Sequence, residues 1–406
     1  MRILLLTAGS RGDVEPFLAL AHRAQAAGHD VRLAVTREFL AQVHAAGIDA
    51  AALDGDYAEL VRRQGVSPWA AMRGYRSTVR PMLASILRSA VDAAVEFRPD
   101  VLVYHPKVLS APVAAAHLGV PHVLVEIVPV VTPTREFPAA GVTTAHLGAL
   151  NPLTYRAAAA ASLMFAGVLR DLRAKHRVPA RGPLPPPAQT LVPVSPTLLA
   201  RPQDWPGTTT LTGPWHSSAA VPPLAQTDPE LDAFLAGGGV VYAGFGSMAA
   251  GDPHERGRAV LDAVRAAGHR ALIATGWGGL QVAPGRHGVD VLVRSGVPHD
   301  RTLSRCVAAI HHAGAGTAHA AVRAGAVSIP VPFLADQPFW AALLDRRGLG
   351  SSPVPARRLD ARRLTRALTT LPDSAGVTEA ARAMATEDGC GTALDLIVGA
   401  QPLGRT

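Results

Sequence analysis

Between His311 and Trp340 the chain reads HHAGAGTAHAAVRAGAVSIPVPFLADQPFW. Two imidazoles run into a turn of small residues, a helix and a strand follow, and a carboxylate and an amide, Asp336 and Gln337, come next. Gly314 and Gly316 let a backbone approach a ligand closely, and a helix opening at about Gly316 points free N–H groups at it. That combination suits phosphate, with His312 and the Thr317 hydroxyl as further donors. By itself, a turn of this kind also serves ordinary β–α packing. Near the N-terminus, GSRGDVEPFLALA places Asp13 just beyond an apolar strand, and LVYHPK places His105 beyond another. The triplet Asp54-Gly55-Asp56 reads more simply as a turn than as a metal-holding cluster.

These residues need elements to position them. Ile3–Thr7 is a continuous apolar run, as expected of a strand covered on both faces. A helix is expected from about Pro16, ended by Gly28, and the alternation resumes at Val31–Thr36, PDVLVYH and PHVLVEIV. A second alternating set runs through GVVYAGFGS, RALIAT, VDVLVRS, VAAIHH and AVSIPV. Two doubly wound α/β domains in tandem are predicted, facing each other across a cleft at their carboxyl strand edges. The boundaries expected are 1–213 for the first domain, a linker over 214–228, a second domain over 229–385, and a segment 386–406 crossing back to the first. Irregular insertions interrupt the first half between Asp54 and Pro81 and between Pro129 and Pro152, and long insertions of this kind usually carry function.

Composition narrows the function classes. The chain has 406 residues, 48% hydrophobic and 17% charged, which suits a globular α/β protein. Its net charge of +8 is carried almost wholly by Arg, since Lys107 and Lys175 are the only lysines. The basic residues are scattered, so no nucleic-acid partner is expected. Cys306 and Cys390 are too few for a disulfide framework or a cysteine metal site. No uninterrupted apolar run approaches a membrane span, and a cytoplasmic location is expected. A dehydrogenase is disfavoured because AGSRGDV lacks G-x-G-x-x-G and the second strand ends in Thr36-Arg37 rather than an acid.

The order GFGS, VPHD and then the His311–Trp340 stretch resembles the nucleotide-sugar signature of family 1 glycosyltransferases with the GT-B fold. The N-terminal GSRGDVEPFLALA resembles their bacterial antibiotic and sterol glycosyltransferase branch, and TPTREFP at Thr132–Pro138 leans toward the sterol-type members. The resemblance implies that His312, Gly314, Gly316 and Thr317 hold the donor diphosphate with Ser247 beside it. It implies that Asp336 and Gln337 bind the donor sugar, and that the loop of Val297 and His299 meets the nucleobase. Asp13 takes the place of the catalytic base and His105 that of its partner, an inversion of the residue types usual in many plant members. Whether Asp13 or His105 accepts the proton stays open on the residues alone.

The expected activity is inverting, metal-independent transfer of a UDP- or dTDP-hexose to a hydroxyl of a hydrophobic small molecule. The nucleotide sugar is a co-substrate and no cofactor is expected. Rival readings are a sterol or lipid glucosyltransferase at a membrane surface, a GT-B-type sugar-nucleotide epimerase, and a non-catalytic sugar-nucleotide-binding protein.

Overall fold

The computed structural model describes residues 1–55, 79–216, 228–246, 248, 251–276, 278–286 and 288–400. Ser247, Asp56 and the aromatic-bearing VSPWAAMRGY stretch lie outside the described residues. The first half contains strands β1 (Arg2–Leu6), β2 (Asp30–Thr36), β3 (Asp49–Leu53), β4 (Val101–Tyr104), β5 (His122–Val125), β6 (Gln189–Val192) and β7 (Thr209–Leu211). All pair in parallel in the order β3-β2-β1-β4-β5-β6-β7. Helices α1 (Arg11–Ala26), α2 (Leu40–Ala45), α3 (Arg80–Phe97), α4 (Ala111–Leu118), α5 (Asn151–Ala160) and α6 (Ala166–Lys175) connect them. Because helices cover both faces, β1, β4 and β5 are buried along nearly their whole length. Leu5, Val103 and Val125 join the core under α1, while Leu4, Leu6 and Leu102 join the core under α3 and α4.

The second half repeats the plan with five parallel strands, β8 (Val240–Gly244), β9 (Arg270–Ala274), β10 (Val291–Arg294), β11 (Ala308–His311) and β12 (Val327–Pro330), ordered β10-β9-β8-β11-β12. Its helices are α7 (Pro229–Ala236), α8 (Pro253–Ala266), α9 (His299–Thr302), α10 (Ala315–Arg323), α11 (Gln337–Arg346), α12 (Ala361–Thr369) and α13 (Ser374–Ala385). The last helix, α14 (Gly389–Val398), returns to the first half, where Cys390, Ala393, Leu394 and Ile397 pack into the core of α1 and β2. The two doubly wound domains expected from the alternation are therefore present.

Two details differ from the sequence reading. Helix α1 begins at Arg11 rather than near Pro16, because the Asp13 carboxylate reaches back to the Ser10 N–H and secures the first turn. Pro16 thus lies inside the helix. Residues 148–175 also form one helical stretch of 28 residues, long and apolar enough by length and composition to cross a membrane. Arg156 and Arg170 interrupt it, so it is not the uninterrupted apolar run that the sequence was searched for. The stretch is mostly exposed, with Leu163 at 72% and Leu150 at 59%.

The domains are joined by packing as well as by chain. Phe137, Tyr155, Val194 and Trp205 of the first share a buried cluster with Ala313, Val322, Phe339 and Trp340 of the second.

Candidate active site

In a doubly wound sheet, ligands bind where the strand order reverses, outside the carboxyl ends of the strands. The first sheet reverses between β1 and β4, whose last paired residues are Leu6 and Tyr104. Asp13 lies in the first turn of α1, just after β1, and His105 in the loop leaving β4. Their side chains meet: His105 Nε2 lies 3.3 Å from Asp13 Oδ1. The other carboxylate oxygen, Oδ2, accepts from Ser10 N at 2.7 Å, Ser10 Oγ at 3.0 Å and Lys107 Nζ at 2.8 Å. His105 Nδ1 accepts from the Lys107 N–H at 3.2 Å, so in the neutral ring the proton sits on Nε2 and faces Asp13.

The electrostatics follow from burial and these partners. Burial works to raise the pKa of Asp13, but Lys107 and His105 outweigh it, and the carboxyl is held at about 2. Burial pushes His105 down to about 4, against the attraction of Asp13. At neutral pH the pair is a carboxylate beside a neutral imidazole, 3.3 Å away. Gly9 makes the arrangement possible. At φ +141° it adopts a conformation other residues avoid, and a Cβ there would lie 2.2 Å from Asp13 Oδ2 and 2.6 Å from Lys107 Nζ.

The second sheet reverses between β8 and β11, with Gly244 paired to His311. His311 is fully buried, and its Nδ1 accepts from Ala313 N at 3.1 Å, which fixes the turn. His312 points toward the opening of α10. A Cβ on Gly314 would come within 2.5 Å of His312 Nε2, so the ring lies against the backbone that caps the helix. Burial holds His312 down to about 4, a neutral ring able to offer one N–H. Gly314 is the cap, and the first turn contains Ala315, Gly316 and Thr317, so the free N–H groups open beside this imidazole.

The turn after β12 presents the acid–amide pair at the start of α11. Asp336 Oδ2 accepts from the Trp340 indole N–H at 2.8 Å. Gln337 is turned inward: its Oε1 accepts from Phe333 N at 2.8 Å and Leu334 N at 3.2 Å, and its Nε2 donates to Met248 Sδ at 3.2 Å. In this arrangement Gln337 clamps the turn that presents Asp336. His299 pairs with the Tyr242 hydroxyl at 3.1 Å, and Val297 packs beside it on the core of the second sheet.

The two half-sites face one another. Burial raises the pKa of Asp336, with Asp13 adding to the rise and Lys107 opposing it. Arg11 likewise acts on His299. Gly141, from the irregular insertion after β5, packs on Ala335 and Asp336, where a Cβ would lie 3.4 Å from the Ala335 carbonyl carbon. Beside α1 and α10, a cavity of about 90 Å³ is lined by Gly12, Pro16, Trp215, Ala315, Gly316 and Arg323, among others.

Two residues went unnoticed in the sequence. Lys107 carried a signal, being one of only two lysines in an Arg-rich chain and lying two residues after His105. Glu126 carried none. Its carboxylate is fully buried at the end of β5 and accepts from the backbone N–H groups of Val130, Val131 and Thr132 and from the Thr132 hydroxyl.

Residues 3–128 match the Glycosyltransferase family 28 N-terminal domain, and residues 283–393 match the Erythromycin biosynthesis protein CIII-like C-terminal domain. A sterol 3-beta-glucosyltransferase of Arabidopsis thaliana is 28% identical, covering 97% of this chain and 67% of its own, and a second from that plant is 31% identical over 96% and 64%. The chain spans about two thirds of these plant relatives and only 26% of a 31% identical sterol glucosyltransferase of Gibberella zeae. Among solved structures, the glycosyltransferase of kitacinnamycin superposes with a TM-score of 0.75 at 21% identity, over 98% of both chains. The spinosyn forosaminyltransferase superposes at 0.70 with 18% identity, over 97% of both. Two doubly wound domains whose switch points meet across one cleft are the GT-B fold, and the two glycosyltransferase domain matches fit a family 1 glycosyltransferase of that fold. Within it, the chain is similar in sequence to sterol glucosyltransferases and in fold to antibiotic glycosyltransferases.

Proposed function

We propose that the protein is an inverting glycosyltransferase that moves a hexose from a nucleoside diphosphate to a hydroxyl of a hydrophobic acceptor. The observation that carries this reading is the meeting of the Asp13 carboxylate at one switch point with the His312–Thr317 helix opening at the other. The diphosphate would lie on the α10 N-terminus, receiving the Gly314–Thr317 backbone N–H groups and the His312 N–H. Asp336 would accept sugar hydroxyls through Oδ1, braced by Trp340 on its other oxygen. The Val297–His299 loop would border the nucleobase, and Ser247 is assigned to the diphosphate from its motif alone.

The acceptor oxygen attacks the anomeric carbon, its proton passes to Asp13, and the bond to the diphosphate breaks with its electron pair on the leaving oxygen. The helix N-terminus and His312 stabilise that oxygen without requiring a metal. His105 orients Asp13 rather than acting as base, because its Nε2 already carries the proton directed at the carboxylate.

Two solved relatives by fold, the glycosyltransferase SsfS6 and a spinosyn rhamnosyltransferase, are described as complexes with thymidine diphosphate, which supports a nucleoside diphosphate donor. A thermal-shift panel of UDP, dTDP, UDP-glucose and a dTDP-deoxysugar tests the donor. A ligand of the folded state raises the unfolding midpoint by mass action. No shift with any of the four would sink the reading.

A membrane-borne sterol or lipid acceptor is the second reading. It is favoured by Leu150, Leu153, Leu163 and Met164, exposed along the 148–175 helical stretch that follows Gly141 at the cleft. Cosedimentation with anionic vesicles, alongside turnover of sterol and soluble polyketide acceptors, separates the two.

A further inference from the structure

The Lys107 ammonium stands between two carboxylates of the cleft. It donates to Asp13 Oδ2 at 2.8 Å, and its charge reaches Asp336 on the opposite wall. Asp13 thus has four polar neighbours turned on it: Ser10 N, Ser10 Oγ and Lys107 Nζ hydrogen-bond one oxygen, and His105 Nε2 stands 3.3 Å from the other. A carboxylate so fully served is a poor proton acceptor, and its pKa of about 2 expresses the same fact. A general base works best with a pKa near the working pH. The resting arrangement is therefore masked. Of the donors, Ser10 N is fixed by the helix start and His105 is buried, whereas the Lys107 side chain is 45% exposed. Lysine is also a point charge on a flexible stem.

We propose that Lys107 is a donor-responsive positioning residue: it rests on Asp13 in the empty cleft and swings onto the diphosphate when a nucleotide sugar binds, uncovering the base. The proposal rests on the nucleotide-sugar reading above. A diphosphate carries more negative charge than one carboxylate and so outcompetes it for the ammonium. Once Lys107 leaves, Asp13 keeps only Ser10 and His105 as partners, and the loss of the ammonium together with the negative charge of Asp336 and the diphosphate leaves it readier to take a proton. The acceptor proton then moves to Asp13 as the new glycosidic bond forms and the old bond to the diphosphate breaks. When the nucleoside diphosphate departs, the ammonium returns and drives the proton from Asp13 to solvent. The device makes the base competent only after the donor is seated.

Lys107→Gln and Lys107→Arg test it, each checked for an unchanged unfolding midpoint. UDP and dTDP binding is measured by calorimetry, and kcat is followed against pH with donor and acceptor saturating. Lys107→Gln is expected to weaken binding of the recognised nucleoside diphosphate by roughly tenfold or more, the value of one hydrogen bond between charged groups. Lys107→Arg should restore much of that loss. The acid limb of the kcat profile should stay where it is in Lys107→Gln, because in the wild-type ternary complex the ammonium has already left Asp13. Unchanged nucleotide affinity, or an acid limb that rises in Lys107→Gln, would overturn the proposal by showing that Lys107 stays on Asp13 throughout. Failure of the wild type to bind either nucleotide is a different result, overturning the donor reading and this device with it.

Discussion

In the proposed mechanism the chemistry rests on Asp13, and each of its neighbours is given a different task. Asn is nearly isosteric with Asp but cannot accept a proton, so Asp13→Asn is expected to lower turnover by about 10²–10⁴, the usual share of a placed general base. Donor binding should persist in calorimetry. His105→Ala should cost less than Asp13→Asn, and the double variant should be no slower than Asp13→Asn, since the imidazole acts only through the carboxylate. A double variant slower than either single one would mean that His105 has a role of its own. The pairing of Asp13 with His105 was legible through the family resemblance, which matches both positions beyond the ends of apolar strands. The direction of the proton between them was not. It depends on the Lys107 N–H reaching His105 Nδ1 at 3.2 Å, a contact that no residue pattern states.

Two elements carry predictions of their own. In the proposed mechanism the start of α10 offers the positive end of a helix to the leaving group. Turnover is therefore expected to survive saturating chelator, and restoration of a lost activity by magnesium or manganese would reverse this assignment. Asp54, one of the two acids in the triplet that could suggest a metal, is ion-paired to Arg37 at 2.6 Å. The other element is the turn leaving β5. Glu126 gathers the N–H groups of Val130, Val131 and Thr132, so Glu126→Ala strands three buried or half-buried donors at a cost of about 1–3 kcal/mol each. At this domain size each kcal/mol lowers the unfolding midpoint by roughly 2–4 °C. Because that turn begins the insertion that reaches Gly141 and Asp336, acceptor KM should rise as well. An unchanged midpoint would show that water replaces the carboxylate. The insertion itself was visible as a break in the strand–helix alternation, but its anchor was not, since a lone glutamate after a strand ordinarily reads as a surface residue.

At the scale of the molecule, four histidines set the response to acid. His105, His312 and His319 are held down to about 4 and His311 to about 3, each chiefly by burial, against an ordinary value of 6.5. The unfolded chain therefore binds protons that the folded one refuses, and stability rises with pH through this range. Their contribution is complete above about 6.5 and is lost as pH falls toward 4. His319 adds an interdomain element, for its Nε2 accepts the Ser195 N–H at 3.2 Å while its Nδ1 donates to the Ala315 carbonyl at 2.7 Å. The unfolding midpoint should fall steadily between pH 6.5 and 4.5, and a flat profile would contradict the buried, neutral state of these rings. The tandem architecture was readable from two alternating runs of apolar strands. The shared apolar seam was not, because Phe137, Trp205 and Trp340 become neighbours only after both domains have formed.

The return of α14 into the first domain means that the two halves of the gene do not correspond to two independent pieces. Cys390, Ala393, Leu394 and Ile397 complete a core whose other walls are Val31, Leu33 and Trp215. A fragment ending near residue 213 would leave that groove bare and lack the Trp215 wall, so it is expected to aggregate when expressed alone. Extended through the linker and supplied in trans with a peptide spanning residues 386–400, it should recover as a split protein. The half of the chain that is synthesised first is thus completed as a folded unit only by the helix synthesised last.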